Sequence, residues 1–328
     1  VSRPPLLVVA LTAVAALLAG CSAAGASDSG ASGAASSTAG AGTRTVASAH
    51  GDVTVPEEPQ RVAAVSYDTT WNLMSLGVKP VTSLDYGPWI DEFSTEQQAF
   101  VEGVPTVGTF GEINVEAVTA AQPDLIIGTA EEVDEATYAQ LSAVAPTVLV
   151  GGGSRGDWQV TTEQTAKAVG REAQWQESKA AFEQTRDRLK TQYADVIANN
   201  RWINFSLGDD ASQFSVQQPT GATGNLLVNE LGMTYGPGVP TDYNARGYAS
   251  YPLEQLGSVF EGVTVALTFA SADGSPNPGV QAIRDNPLFQ RLPVAQSGHV
   301  YPMASSVTDY PSATAWLEEL EQKVLSVL

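Results

Sequence analysis

One cysteine and two histidines in 328 residues exclude disulfide scaffolds, zinc ribbons and histidine-rich metal clusters. Positive charge is also scarce. Sixteen Lys and Arg stand against 36 Asp and Glu, giving a formal charge of −20 at pH 7. A field of that sign repels phosphate backbones and excludes nucleic acid as a bulk partner. Catalytic signatures are missing as well. There is no Walker loop or His-Glu-x-x-His, and Gly151-Gly152-Gly153-Ser154 lacks the lysine of a phosphate loop. Neither His50 nor His299 is near a plausible nucleophile, so the chain reads as a binding protein without a cofactor or a catalytic group. What is present is globular: 43% of residues are hydrophobic and 16% charged, in a chain long enough for about two domains.

Arg3 precedes an almost wholly apolar run from Leu6 to Ala19. That run is shorter than the ~20 residues a membrane-spanning helix needs, and it fits the core of a signal peptide. It ends in Leu18-Ala19-Gly20-Cys21, which resembles the bacterial lipobox, where the cysteine thiol receives a diacylglycerol. Residues 1–20 are therefore expected to be a lipoprotein signal peptide, with Cys21 the lipidation site on the outer side of the cell membrane. From Ser22 to about Ala49 the chain is Ala, Gly, Ser and Thr with almost no large apolar residue, so 21–50 reads as a flexible tether.

The rest alternates strands with helices. Arg61–Ser66 is a short β-rich run, followed by a helical stretch to Leu76 and a C-cap at Gly77. Asn114 caps a helix over Val115–Ala121, Pro123 stops it, and Leu125-Ile126-Ile127 is a buried strand. A helix over Glu132–Val144 and a strand over Thr147–Val150 complete an N-terminal lobe, 51–171, with a parallel sheet covered by helices. Trp175, Lys179, Phe182, Arg186, Leu189 and Tyr193 recur at spacings of three and four, predicting one connecting helix within 172–199. The C-terminal lobe, 200–328, takes strands at Trp202–Leu207, Thr264–Phe269 and His299–Met303. Its helices are expected at Gly224–Leu231 and from Pro311 to Leu328.

The lobes share a pattern. Glu116, in Asn114-Val115-Glu116, sits in the first turn of a helix, and a strand starts at Leu125, nine residues later. Glu254, in Pro252-Leu253-Glu254, is placed alike, with Val263 nine residues later. Such carboxylates are stabilised by the helix N-terminus without a protein partner, so one acid per lobe stays free to meet basic residues of a membrane partner.

Thr54-Val55-Pro56, Pro59-Gln60-Arg61-Val62 and Leu76-Gly77-Val78-Lys79-Pro80-Val81 resemble the opening of the helical-hinge (class III) solute-binding proteins of ABC importers. So do Asn114-Val115-Glu116 with Pro123-Asp124-Leu125-Ile126, Leu253-Glu254, Pro287 to Pro293, and Gly298-His299-Val300-Tyr301. The likeness covers roughly residues 50–328. It implies an α/β fold of two Rossmann-like lobes joined by one long helix, with a ligand cleft between them. It also implies that Glu116 and Glu254 dock onto an ABC permease dimer, and that the protein acts as a monomer. Pro252 departs from the pattern, where many members carry a capping serine.

Members of the group bind ferric siderophores, haem, cobalamin or bare metal ions. Two histidines argue against bare metal, and the resemblance implies an iron(III)–siderophore, with haem, cobalamin or a non-transport surface sensor as alternatives. Ligands of open α/β sheets meet the loops at strand C-termini. Those loops supply Tyr67, Tyr86, Trp89, Phe110, Arg155, Phe214, Arg246, Tyr248 and Tyr310 as candidate ligand-binding residues. The aromatics offer flat faces to the organic shell of a chelate, and the arginines donate to its oxygens. With two cleft arginines on an acidic protein, a neutral or cationic hydroxamate complex is the better electrostatic match.

Overall fold

The structure is a computed structural model describing residues 42–328, apart from 152, 244, 245 and 305 and the side chain of Glu92. The expected signal peptide, the lipidation site Cys21 and most of the expected tether lie outside the described residues. Among the described residues regular structure is already present at Thr43, ahead of the lobe boundary expected at 50/51. Strand β1 (Thr43–Val46) pairs antiparallel with β2 (Val53–Pro56). Val46 points inward, while the Arg44 guanidinium donates to the carbonyls of Lys167 and Ala168 at the end of the helix Trp158–Val169. A cation on the orphan carbonyls of a helix C-terminus satisfies them and complements the dipole. Alternation and one arginine therefore order a stretch whose small residues read as tether.

The N-terminal lobe contains β3 (Val62–Ala64), the short hairpin of β4 (Gly108–Thr109) and β5 (Glu112–Ile113), β6 (Leu125–Thr129) and β7 (Thr147–Val150). Strands β3, β6 and β7 form a parallel sheet in the order β3-β6-β7, and every residue in them is buried. Burial on both faces is why these strands read as apolar runs. The helix Tyr67–Ser75 starts after Ser66, whose hydroxyl accepts the Thr129 N–H at 2.8 Å and ties the helix start to the end of β6. Asn114 caps Val115–Ala120 by accepting the Ala117 N–H at 3.0 Å. The next helix begins at Glu135 rather than Glu132, because Asp134 is its cap, accepting the Thr137 N–H at 2.7 Å. Glu132 is left in the loop after β6.

The connector runs from Glu172 to Gln192, breaks at Tyr193, and continues as Ala194–Asn199. Trp175, Phe182 and Leu189 form its buried stripe. Phe182 is 1% exposed and meets Trp158 and Tyr310 edge-on at 5.5 and 5.6 Å.

The C-terminal lobe holds β8 (Trp202–Leu207), β9 (Gln213–Gln217), β10 (Tyr248–Pro252), β11 (Val265–Phe269) and β12 (Val300–Met303) in the order β10-β9-β8-β11-β12. Strands β8, β11 and β12 are parallel, whereas β9 and β10 add an antiparallel edge that the sequence analysis left out. Two helices carry wider turns than expected. Ala222–Asn225 passes into a π turn at Leu226–Glu230, and the closing helix Tyr310–Leu320 into another at Glu321–Leu325. Phe205, Phe214, Phe260 and Phe289 fill the core beneath the sheet.

The lobes meet through named hydrogen bonds. Ser154 Oγ and the Gly156 N–H both donate to Thr220 O at 2.5 Å, and Asn72 Nδ2 donates to Thr308 O at 2.7 Å. At the opposite rim the Ala272 N–H donates to Asp91 O at 3.2 Å. Truncating the aromatic at the centre of this junction, Phe182→Ala, is expected to cost about 3–5 kcal/mol. The exposed connector variant Glu177→Ala should stay within about 0.5 kcal/mol. Urea unfolding of the two variants compares them directly.

Candidate functional site

A cavity of about 320 Å³ lies between the lobes. The N-terminal lobe lines it with Tyr67, Trp89, Phe110 and Arg155, and the C-terminal lobe with Gln217, Thr223, Arg246, Tyr248, Phe269, Ser306 and Val307. Most of these follow strand C-termini. Tyr67 comes just after β3, Arg155 after β7, Phe269 ends β11, and Ser306 follows β12. This is the position that open α/β sheets give to ligands.

Local chemistry explains how individual side chains arrive there. Phe110 stands at the tip of the β4–β5 hairpin, 52% exposed. Gly108, at φ +124, closes the hairpin, and a Cβ there would lie 1.9 Å from Glu112 O. On the other wall, Gly221 and Gly247 touch: a Cβ on Gly221 would lie 2.1 Å from Gly247 O. Only glycine allows that approach, and it sets Arg246 and Tyr248 beside Ala222 and Thr223.

Arg155 Nη2 lies 3.4 Å from Asp68 Oδ1, and the guanidinium stacks over the Tyr67 ring at 5.4 Å. Asp68 holds the Arg155 pKa above its ordinary value. Behind this pair, both carboxylate oxygens of Glu132 accept the Tyr67 N–H at 3.1 Å, and Thr129 Oγ1 donates to one of them at 3.4 Å. Burial, reinforced by Asp68, pushes Glu132 up to about 7, and Glu131 is raised by the same two causes. Opposite, the Tyr248 hydroxyl donates to Asp209 at 3.2 Å, and burial and that carboxylate raise its pKa. The walls thus combine aromatic faces, two guanidinium groups and a surplus of carboxylates.

Of the nine candidate ligand residues, the cavity brings together Tyr67, Trp89, Phe110, Arg155, Arg246 and Tyr248. The other three point elsewhere. Tyr86 is 3% exposed, donates its hydroxyl to Tyr67 O at 2.7 Å and packs on Trp71 and Phe93, so it props the wall from behind. Phe214 lies on β9, where alternation sends it and Val216 into the core and leaves Gln217 to the cavity. Tyr310 begins the closing helix and is buried against Trp158 and Phe182. Gln217, Thr223, Phe269, Ser306 and Val307 were missed. Phe269 had a signal, since it is the last residue of a foreseen strand.

Glu116 and Glu254 are both exposed, and neither carboxylate has a hydrogen-bond or ion-pair partner among the described residues. Glu116 lies in the first turn of Val115–Ala120. Glu254 sits instead in a 3-10 turn, Leu253–Gln255, because Pro252 still pairs with Gln213 in β10.

Glu132 gives the fold a pH signature. Its folded pKa of about 7 lies above the ordinary 4.5, so the folded state holds this proton more tightly than the unfolded chain. Its stabilising contribution is complete below the unfolded pKa and is lost as pH rises through 7. Glu132→Gln should remove that loss, raising stability at pH 8 by up to about 3 kcal/mol and changing it little at pH 5. Urea midpoints at the two pH values measure the difference.

The profile of the family described as "Periplasmic binding protein" matches residues 62–307. The chain is 34% identical over 195 residues to the "Probable siderophore-binding lipoprotein YfiY" of Bacillus subtilis, covering 58% of this chain and 57% of that one. It is 27% identical over 298 residues to the ferric enterobactin-binding periplasmic protein FepB of Escherichia coli, covering 85% and 90%. Among solved structures, the siderophore periplasmic binding protein from the fuscachelin gene cluster of Thermobifida fusca superposes with a TM-score of 0.71 at 26% identity. That match covers 83% of this chain and 98% of the other. With two α/β lobes, a helical connector and a cleft between them, the chain belongs to the periplasmic binding protein family.

Proposed function

We propose that the protein captures an iron(III)–siderophore complex in the inter-lobe cleft and delivers it to an ABC permease dimer. It acts as a monomer, held outside the cell membrane by a lipid on Cys21. The observation that carries this reading is the cavity itself. Aromatic faces from both lobes, Tyr67, Trp89 and Phe110 against Tyr248 and Phe269, surround a space that also contains Arg155 and Arg246. Flat rings cover the organic shell of a chelate, and guanidinium N–H groups donate to the hydroxamate, catecholate or carboxylate oxygens around iron. Phe110 is exposed at the cavity surface, an exposure a bound chelate would relieve. The relatives named for siderophores support the same cargo.

Delivery uses the rim. Glu116 and Glu254, one per lobe and free of partners among the described residues, present two carboxylates to basic residues of the permease. Two such contacts fix orientation, and their separation reports how the lobes are set.

Trp89 in the cavity supplies the first test. Titrating the protein with ferric hydroxamates, ferric catecholates, ferric citrate, haemin and cobalamin should give saturable fluorescence quenching by an iron chelate. Quenching by haemin or cobalamin alone would replace the cargo, and silence across the panel would favour a surface sensor. The docking role makes a separate prediction. Glu116→Ala combined with Glu254→Ala should leave the dissociation constant within about twofold while abolishing uptake in cells, and normal uptake would end that assignment.

A further inference from the structure

The proposed cargo leaves open which chelates the cleft prefers, and the first-lobe wall addresses this. Arg155 is exposed and at the cavity surface, yet its charge does not stand alone. Asp68, with a side chain only 17% exposed, lies 3.4 Å from it. Glu132 is held beneath by the Tyr67 N–H and acts on the same guanidinium, as does Glu131 in the same loop. Asp68, Glu131, Glu132 and Arg155 together border a second, smaller recess, which shares Phe110 and Arg155 with the main cavity. Asp157, on the turn that carries Arg155, adds a further negative charge facing Glu131. Across the cleft Arg246 lines the cavity with Tyr248, whose hydroxyl donates to Asp209.

We infer that Asp68 is a specificity residue: by neutralising Arg155 it turns the first-lobe wall against polyanionic chelates while leaving that arginine able to bind uncharged ones. This rests on the siderophore reading above. Asp68 contacts Nη2 through one oxygen at a long distance, so most of the five N–H donors of the guanidinium remain for chelate oxygens. The hydrogen bonds are thus retained while the net attraction for anions is cancelled. A tris-catecholate of charge −3 meets the surrounding carboxylates as well as the arginine. A neutral tris-hydroxamate meets only the donors.

The isosteric variant Asp68→Asn separates these effects. Dissociation constants of wild type and variant are measured for a ferric tris-catecholate of charge −3 and a neutral ferric tris-hydroxamate, at low and high salt. Wild type should prefer the hydroxamate. Asp68→Asn should tighten the catecholate about tenfold at low salt, less at high salt, and move the hydroxamate less than about twofold. Asp68→Glu should retain the wild-type preference, which guards against a variant that merely folds poorly. Equal changes for both chelates, or a wild-type preference for the catecholate, would overturn the inference and leave the siderophore reading standing. Binding of neither chelate by wild type, with haemin or cobalamin bound instead, would remove both.

Discussion

Phe182 sits where three segments of the chain converge. Its ring meets Trp158, which opens the helix after the Arg155 turn, and Tyr310, which opens the closing helix; those two rings are themselves 5.0 Å apart. Arg155 is three residues before Trp158 and Val307 three before Tyr310, so the positions of two cavity walls are tied to this contact. A buried polar layer lies beside it. Asn72 donates to Thr308 O at 2.7 Å, Thr165 donates to Asn72 Oδ1 at 3.3 Å, and Thr162 reaches Thr308 O at 3.4 Å. Groups so buried are costly to leave unpaired, which makes the junction specific as well as apolar. Lobes joined this way by a packed helix are restricted to small relative movements, because a large rotation would open the aromatic contact and unpair the layer.

How much of this was legible depends on burial and on pairing partners. Strands β3, β6 and β7 are buried on both faces and therefore read as apolar runs between helix signals. Gln213-Phe214-Ser215-Val216-Gln217 alternates instead, and its small polar residues concealed an edge strand that exists because Tyr248–Pro252 pairs with it. Missing β9 had a direct consequence for the site: Phe214 was assigned to a cleft loop when alternation buries it. Tyr86 and Tyr310 fail for a related reason. Closeness to a strand end is visible in sequence, but whether a ring turns toward the cleft or the core depends on tertiary neighbours such as Trp71 and Phe182. Small residues concealed β1, whose order depends on a helix end more than 120 residues away.

The scarcity of positive charge shapes the cleft. Sixteen Lys and Arg serve the whole chain, and several are committed to joining segments. Arg186 pairs with Glu230 at 2.8 Å, and Lys190 donates to the carbonyl of the same residue at 3.0 Å. Arg188 takes Glu321 with two contacts of 2.7 and 2.6 Å, and Arg44 closes a helix end. Each of these fixes the connector or the N-terminal hairpin against a neighbouring element. Arg155 and Arg246 are the cations that line the cavity.

Carboxylates are in surplus, and surplus acids go where water or a partner can solvate them. Glu116 and Glu254 occupy such places, where a first-turn or 3-10 position keeps a carboxylate exposed. Glu131 and Asp68 crowd the arginine of the first-lobe wall, and Glu132, buried next to Asp68, holds its proton up to about pH 7. A wall built under this imbalance keeps the hydrogen-bonding geometry of Arg155 but little of its net charge. Shape and donor placement then decide what it holds, and the unpaired acids outside remain available to a basic partner.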